Sequence, residues 1–329
     1  MNVIRNSRNR NRKKVHGYVV LWTGVTCVAV LVFFVASIRQ QPPPLTHQQP
    51  PQPLLHVPKP KENCEMKAGS YEKISPVIVP NTCNSDSRGY FDAIYETGYW
   101  GAELRKPEDF YTNAEWPTPE TRKHSASGLG SDLGSTTVTS LKMIRNTIHK
   151  FGIKSMVDVP CGDVNWMFES YETDTLPLYL GLDVTSKVID INNERFDHHN
   201  NKEFRFWDMT ECVLPKFYNK TSGIEQPFDL VHVRDVIQHL SLEQGVNYFC
   251  NTFRSGAKVL ITTTYPSAEA NKNIEVEGGW YENNLELEPF SFPKSEDCEL
   301  SHPEVEPDST CVYDLTEGTW VQEFISNKC

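Results

Sequence analysis

The stretch Ser155–Trp166, SMVDVPCGDVNW, decides how the rest of the chain is read. Met156–Val159 is a short apolar run. It ends in a turn carrying Pro160 and Gly162, with Asp158 and Asp163 on either side. An apolar run bounded by Pro and Gly predicts a buried parallel strand entering a ligand-binding turn. Carboxylates at the carboxyl end of such a strand point into the crevice where open α/β sheets bind their ligands.

Working outward, strands and helices alternate. Leu178–Val184, Glu203–Asp208, Phe228–Val233 and Ala257–Thr264 are β-prone runs, and Ser186–Phe196 and Leu242–Phe253 have helical periodicity. Upstream, Leu141, Ile144, Ile148 and Phe151 give one apolar face to a helix expected over Thr136–Phe151. The aromatic-rich Phe91–Trp100 reads as a helix lying over the sheet, which starts the folded body near Tyr90. This alternation predicts an α/β protein with a doubly wound, mostly parallel sheet. Leu285, Leu287, Phe290 and Phe292 alternate as an extended segment would.

The N-terminal region concerns location. Gly17–Ile38 is 22 residues without Asp, Glu, Lys or Arg, long enough to cross a bilayer as one helix. The competing reading is a cleaved signal peptide ending near Val35-Ala36-Ser37, with an unusually long apolar core. The retained span is preferred. Six basic residues precede it and only Arg39 follows closely, so the positive-inside rule leaves the N-terminus cytosolic. The expected organisation is a cytosolic tail (1–16), a transmembrane signal anchor (17–38), a Pro/Gln-rich stem and linker (39–89) and a lumenal body (90–329).

The net charge is −11, but residues 1–38 hold six of the 32 Lys and Arg residues and no acid. The remainder therefore carries 26 basic against 43 acidic side chains, which argues against a nucleic-acid substrate. Nine cysteines suit an oxidising compartment. Cys64–Cys83 and Cys298–Cys311 are the nearest plausible pairs, and Cys161, in the ligand turn, is expected to be free. Asn219-Lys220-Thr221 is a glycosylation sequon.

Asp158, Asp183 and Asp208 close three successive strands at equal steps of 25 residues. One such Asp is as well explained as a helix cap. Three in register suggest a ligand laid across several strand ends, with Asp183 accepting from ribose hydroxyls and Asp208 from an adenine amino group. A dinucleotide needs a glycine-rich turn for its pyrophosphate. Here Pro160, Gly162 and Val164 hold the three glycine positions, and Asp163 adds the wrong charge. S-adenosylmethionine has no phosphate and carries an ammonium and a sulfonium, so the residues favour it. The glycine-spaced loop Ser125–Ser131, with Gly128 and Ser131, admits two readings: a flexible approach to the next helix, or backbone N–H groups aimed at a ligand carboxylate.

These motifs carry a family resemblance. From about Ser125 to the C-terminus the chain resembles class I S-adenosylmethionine-dependent methyltransferases, and more closely those whose first motif reads like Asp158–Trp166. The resemblance extends to Arg234–His239 (RDVIQH), Thr263–Pro266 (TTYP), Asn273-Ile274 and Gly279–Leu285 (GWYENNL). It implies a seven-stranded Rossmann-like methyltransferase sheet, with Val312–Leu315 and Trp320–Ile325 as its closing strand pair. Joined to a type II anchor, the whole is similar to invertebrate Golgi O-methyltransferases acting on galactose or fucose of glycans. The resemblance implies a donor site built from Asp158, Pro160, Cys161, Gly162, Asp163, Trp166, Asp183, Asp208, Met209, Thr210 and Arg234, besides Gly128 and Ser131. It implies a glycan acceptor on a glycoprotein or glycolipid, and no metal requirement is evident.

A sugar hydroxyl is a poor nucleophile at neutral pH, so a base should help. Asp235 and His239 stand at i and i+4, sharing a face if that turn is helical. His239 is the expected base with Asp235 orienting it, and Asp235 acting directly is the second choice; against both, His239 could merely cap the helix. His232, inside the strand, reads as a core residue. Trp280 offers a face for a sugar ring, with Tyr265, Glu282 and Asn283 as companions, although Trp280 could equally anchor its loop in the core. Three rivals remain: a glycosyltransferase, disfavoured because no Asp-x-Asp occurs; a non-catalytic glycan-binding protein; and a methyltransferase for proteins or small molecules.

Overall fold

The computed structural model describes residues 88–100, 125–219, 222–275, 278–302 and 306–329. The expected tail and span, nearly all of the stem, and Cys64 and Cys83 lie outside them. Among the described residues no helix is long and apolar enough to cross a membrane.

After helix α1 (Arg88–Thr97), α2 (Ser135–Phe151) leads into β1 (Ser155–Asp158), followed by the single turn α3 (Tyr171–Asp174) and β2 (Leu178–Asp183). Then come α4 (Ser186–Arg195), β3 (Lys202–Phe206), a hairpin of β4 (Phe217–Asn219) and β5 (Ile224–Gln226), and β6 (Leu230–Val233). The chain continues through α5 (Leu242–Arg254), β7 (Val259–Thr264), β8 (Asp297–His302) and β9 (Glu306–Asp314), and ends in α6 (Trp320–Lys328). The sheet has seven strands in the order β3-β2-β1-β6-β7-β9-β8. The five strands β3, β2, β1, β6 and β7 are joined by four parallel pairings, and β9 runs antiparallel between β7 and β8. The strand order reverses between β1 and β6, where open α/β sheets have their ligand crevice.

β1, β2, β6 and β7 are buried at every position, which is why they read as unbroken apolar runs rather than alternating ones. Successive side chains go to opposite faces. Met156, Tyr179, Leu230 and Ile261 pack with Met143 and Ile144 of α2 and Ile189 of α4. Val157, Leu180, Val231 and Leu260 pack on the other face with Phe249 and Phe253 of α5 and Phe324 of α6. By the same alternation Asp158 and His232 lie on the α2 and α4 face, at the top of the core.

Two expected segments fold differently. Trp320–Ile325 is helix, not strand: Val321 and Phe324 are its buried positions, a helical spacing, and Phe324 meets Phe253 of α5 edge-on. The partner of β9 is instead the polar edge strand β8, whose Asp297 and Glu299 pair with Lys150 and Lys142 of α2. An edge strand facing water on one side has no apolar run to betray it. Leu285–Phe292 forms turns, not an extended segment. There the Asn271 amide donates to the carbonyls of Asn284, Leu287 and Glu288, and Asn284 donates to those of Pro266 and Ala268. Side-chain amides thus satisfy a backbone that pairs with no strand, and Leu285, Phe290 and Phe292 still reach the core.

Cys298–Cys311 joins registered partners of β8 and β9, the expected pair. Cys250–Cys329 ties α5 to the C-terminus, Cys212 is disulfide-bonded, and Cys161 is buried and free. The Cys250–Cys329 bridge spans 79 residues. Closing a loop of that length restricts the unfolded chain, so replacing both cysteines by serine should lower unfolding free energy by roughly 4 kcal/mol in urea melts under non-reducing conditions.

Candidate functional site

A cleft enclosing about 1100 Å³, its open mouth included, lies over the carboxyl ends of β1, β2, β3 and β6. Its floor is the turn after β1, and Phe91, Tyr95 and Trp100 from the α1 segment form its roof. Tyr95 shares a hydrogen bond of 2.9 Å with Ser127, which in turn accepts from the Asp163 backbone N–H at 3.0 Å, so roof and floor are clasped together. Asp158, Pro160, Cys161, Gly162, Trp166, Asp183, Asp208, Met209, Thr210, Arg234, Ser131, Asp235 and His239 all line this cleft. Gly128, Asp163, Tyr265, Trp280, Glu282 and Asn283 do not.

Asp183 is the group around which the floor is built. One carboxylate oxygen accepts from Gly162 N–H at 3.0 Å and the other from Thr185 N–H at 2.9 Å. Burial raises its pKa to about 6 despite those two bonds. Gly162 has φ +54°, a region that side chains rarely adopt, and a Cβ there would run into the Ser127 hydroxyl, so glycine suits the turn that closes on Asp183. Burial first, and Asp183 and Asp158 behind it, hold the Cys161 thiol well above its usual pKa, which removes it as a nucleophile.

Asp163 differs from expectation. Its carboxylate faces the Ser125–Ser127 loop, accepting from Ser125 Oγ at 2.8 Å and Ala126 N–H at 2.9 Å, and so orders the loop instead of meeting a ligand. The loop's own donors are likewise engaged internally: Gly128 N–H bonds Ser125 O and Ser131 N–H bonds Gly128 O. These two N–H groups therefore close the loop's own turns. At the β3 tip Asp208 caps the next turn, accepting from the N–H and hydroxyl of Thr210.

Asp158 is held in the floor by two partners, Tyr179 Oη and His232 Nδ1, each at 2.6 Å. His232, read from sequence as core, lines the cleft, and its Nε2 has no hydrogen-bond partner although buried. That contact was invisible in sequence because Asp158 and His232 are 74 residues apart and meet only through β1–β6 register. The signal that could have found it is the polar residue in an otherwise apolar strand.

Arg234 is held inside the wall. Its Nε donates to Ser140, one Nη to Gly130 O, and the other pairs with Asp235 at 2.8 Å, while the guanidinium covers Trp166. It therefore joins α2 and the Gly130 loop to β6. Asp235 has φ +53°, not helical, because its N–H turns to Thr263 Oγ1 at 3.0 Å. Asp235 thus pairs with Arg234 in the cleft wall on a non-helical backbone, instead of standing one helical turn from His239 as expected. His239 follows in a 3-10 turn, Ile237–His239. Its Nδ1 lies 2.9 Å from Gly279 O, and its ring is 5.3 Å from that of Trp100. A carbonyl only accepts, so Nδ1 carries the proton and, in the neutral ring, Nε2 the lone pair.

The residues expected at an acceptor lie one layer out. Tyr265 and Asn283 are buried, Glu282 is exposed, and Trp280 is half exposed, edge-on to Tyr265 at 5.7 Å. Asn283 is buried outside the cleft; its backbone carbonyl accepts from Tyr265 N–H and Thr264 Oγ1, which anchors the loop. Among the described residues no group of three His, Cys, Asp or Glu side chains is placed to hold a metal ion.

No protein-family model matches the chain, and no match was found among the curated proteins compared with it. Solved structures do match. PigF with SAH is 13% identical over 69% of this chain and 67% of its own, with a TM-score of 0.38. The N-methyltransferase NodS from Bradyrhizobium japonicum WM9, solved with S-adenosyl-l-homocysteine (SAH), is 12% identical over 53% of this chain and 74% of its own, at TM-score 0.35. The magnesium protoporphyrin IX methyltransferase ChlM from Synechocystis PCC 6803, solved with bound SAM, is 10% identical over 70% of this chain and 98% of its own, at TM-score 0.41.

Proposed function

We propose that this protein is an S-adenosylmethionine-dependent O-methyltransferase acting on a sugar hydroxyl, galactose or fucose, of a glycoprotein or glycolipid in the Golgi lumen, anchored by residues 17–38 as a single-pass type II protein. The observation that carries the reading is the cleft's donor and acceptor set. Asp183 and Asp208 offer carboxylates along successive strand tips, whereas the Arg234 guanidinium is engaged with Asp235, Ser140 and Gly130. Hydroxyl, amino and ammonium groups fit such a lining, and a pyrophosphate does not. The buried, unpartnered His232 Nε2 is a further acceptor in the same lining.

Asp183 would hold the ribose, Asp208 the adenine edge, and Met209, Trp166 and Pro160 the apolar surfaces. Bound there, S-adenosylmethionine supplies a methyl carbon made electrophilic by its sulfonium. His239 Nε2 takes the proton from the acceptor hydroxyl, and the Nδ1–Gly279 contact fixes the ring for that task. Phe91, Tyr95 and Trp100 keep water from the roof, and alignment under that roof supplies the remainder of the rate. The half-exposed Trp280, next in chain to Gly279, supports a flat sugar face as acceptor, as does the anchor-and-stem layout of the sequence.

The Asp183 value sets a pH dependence. Ribose hydroxyls donate better to the carboxylate than to the acid, so SAH affinity should be flat above pH 6 and fall up to tenfold per unit below it, read by calorimetry. Stability runs the other way. Because the folded pKa is the higher, this group's contribution is full below pH 4 and is lost as pH rises through 6. The function itself is tested by incubating full-length protein with labelled S-adenosylmethionine and a panel of galactosides, fucosides, peptides and small phenols. Label on a sugar oxygen is expected. Transfer only to peptide or phenol would replace the glycan reading, and no SAH binding at all would remove the donor.

A further inference from the structure

Among the described residues His232 stands out as the one histidine both sealed in the core, at 1% exposure, and lining the cleft. Its backbone is the register partner of Asp158 across β1 and β6, the point where the strand order reverses. Asp158 orients the ring: one oxygen meets His232 Nδ1 at 2.6 Å, and Tyr179 Oη donates to the other at 2.6 Å. A carboxylate only accepts, so Nδ1 carries the proton and Nε2 presents a lone pair in the neutral ring. The Trp166 ring meets the imidazole edge-on at 5.8 Å and holds it from the side. Nε2 has no hydrogen-bond partner. A buried acceptor without a donor is costly, and in a cleft wall it marks where a ligand donor belongs.

The sheet order says which donor. Asp208 follows β3 and Asp183 ends β2, so the adenine and ribose occupy those two tips and the rest of the molecule extends toward β1 and β6. The neighbouring Arg234 is a cation and cannot accept. We infer that His232 Nε2 accepts a hydrogen bond from the α-ammonium of the methyl donor's amino-acid tail, making the Tyr179–Asp158–His232 chain the element that selects an amino-acid-bearing nucleoside. This rests on the donor assigned above. The carboxylates at the strand ends thus divide in role: Asp183 faces ligand, whereas Asp158 acts through His232.

The test compares two ligands on full-length protein by calorimetry: SAH, and its deaminated analogue, which keeps the carboxylate and lacks only the amine. Wild-type protein should prefer SAH by about tenfold or more, the range of a hydrogen bond to a charged group. In His232→Asn the amide replaces the Nδ1 donor to Asp158 but nothing occupies the Nε2 position. The preference should vanish there while the analogue's affinity stays within about twofold. His232→Gln, which returns an amide oxygen to the Nε2 position, should restore part of it. An undiminished preference in His232→Asn overturns the inference. Failure of wild-type protein to bind either ligand overturns the donor assignment beneath it. Should His232→Asn fail to fold, nitrogen NMR of wild-type protein decides: the His232 Nε2 resonance should move on adding SAH and not the analogue, and equal responses overturn the inference.

Discussion

Replacing His239 by alanine is expected to lower sugar methylation by about 10²–10⁴-fold, the usual contribution of a positioned base, while SAH affinity stays within twofold. The reasoning is geometric. His239 leaves the 3-10 turn after β6 with Nδ1 on Gly279 O, which directs its other nitrogen away from that loop. His239→Asn separates chemistry from support: its amide can still donate to Gly279 O, yet it has no basic nitrogen. Both variants should be equally inactive if His239 takes the proton. Turnover in His239→Asn within threefold of wild type would reassign His239 to positioning the Gly279 loop.

Replacing Asp183 by alanine should weaken SAH binding about 10²-fold or more. Two effects add. The ligand loses its carboxylate acceptor, and the Gly162 and Thr185 N–H groups lose theirs, so the floor turn loosens where the ligand must lie. Asp183→Asn gives the control. Its amide oxygen keeps one of the two backbone bonds and removes the buried charge, so the fold should survive, and the fall in affinity below pH 6 should disappear. Calorimetry from pH 5 to 8 on the three proteins checks both statements. An Asp183→Asn protein that still loses affinity below pH 6 would place that titration elsewhere.

Much of the fold was legible because burial on both faces writes parallel strands as apolar runs. Ser155–Asp158, Leu178–Asp183, Leu230–Val233 and Val259–Thr264 emerged within about two residues of expectation. What was missed lacks that signature. β8 is an edge strand of mostly polar residues, and α6 is too short for its spacing to outweigh its β-prone side chains. Leu285–Phe292 mimicked a strand by accident, since turns held by Asn271 and Asn284 can also turn alternate residues inward.

The site shows the same division. Asp183, Asp208 and Gly162 were legible as positions because strand tips and turn glycines have fixed meaning in a parallel sheet, and the structure brings them to one cleft with His239. Which way a carboxylate turns depends on partners far off in sequence. Asp163 turns to Ser125 and Ala126, Asp235 to Arg234, and Asp158 to Tyr179 and His232. The amino-acid sequence by itself determined the doubly wound core and the strand ends where chemistry gathers, because periodicity and turn residues act locally. Only the tertiary structure decided which of those polar groups face the cleft, because a buried carboxylate goes to whichever donors the sheet register and the packed loops bring within hydrogen-bond reach.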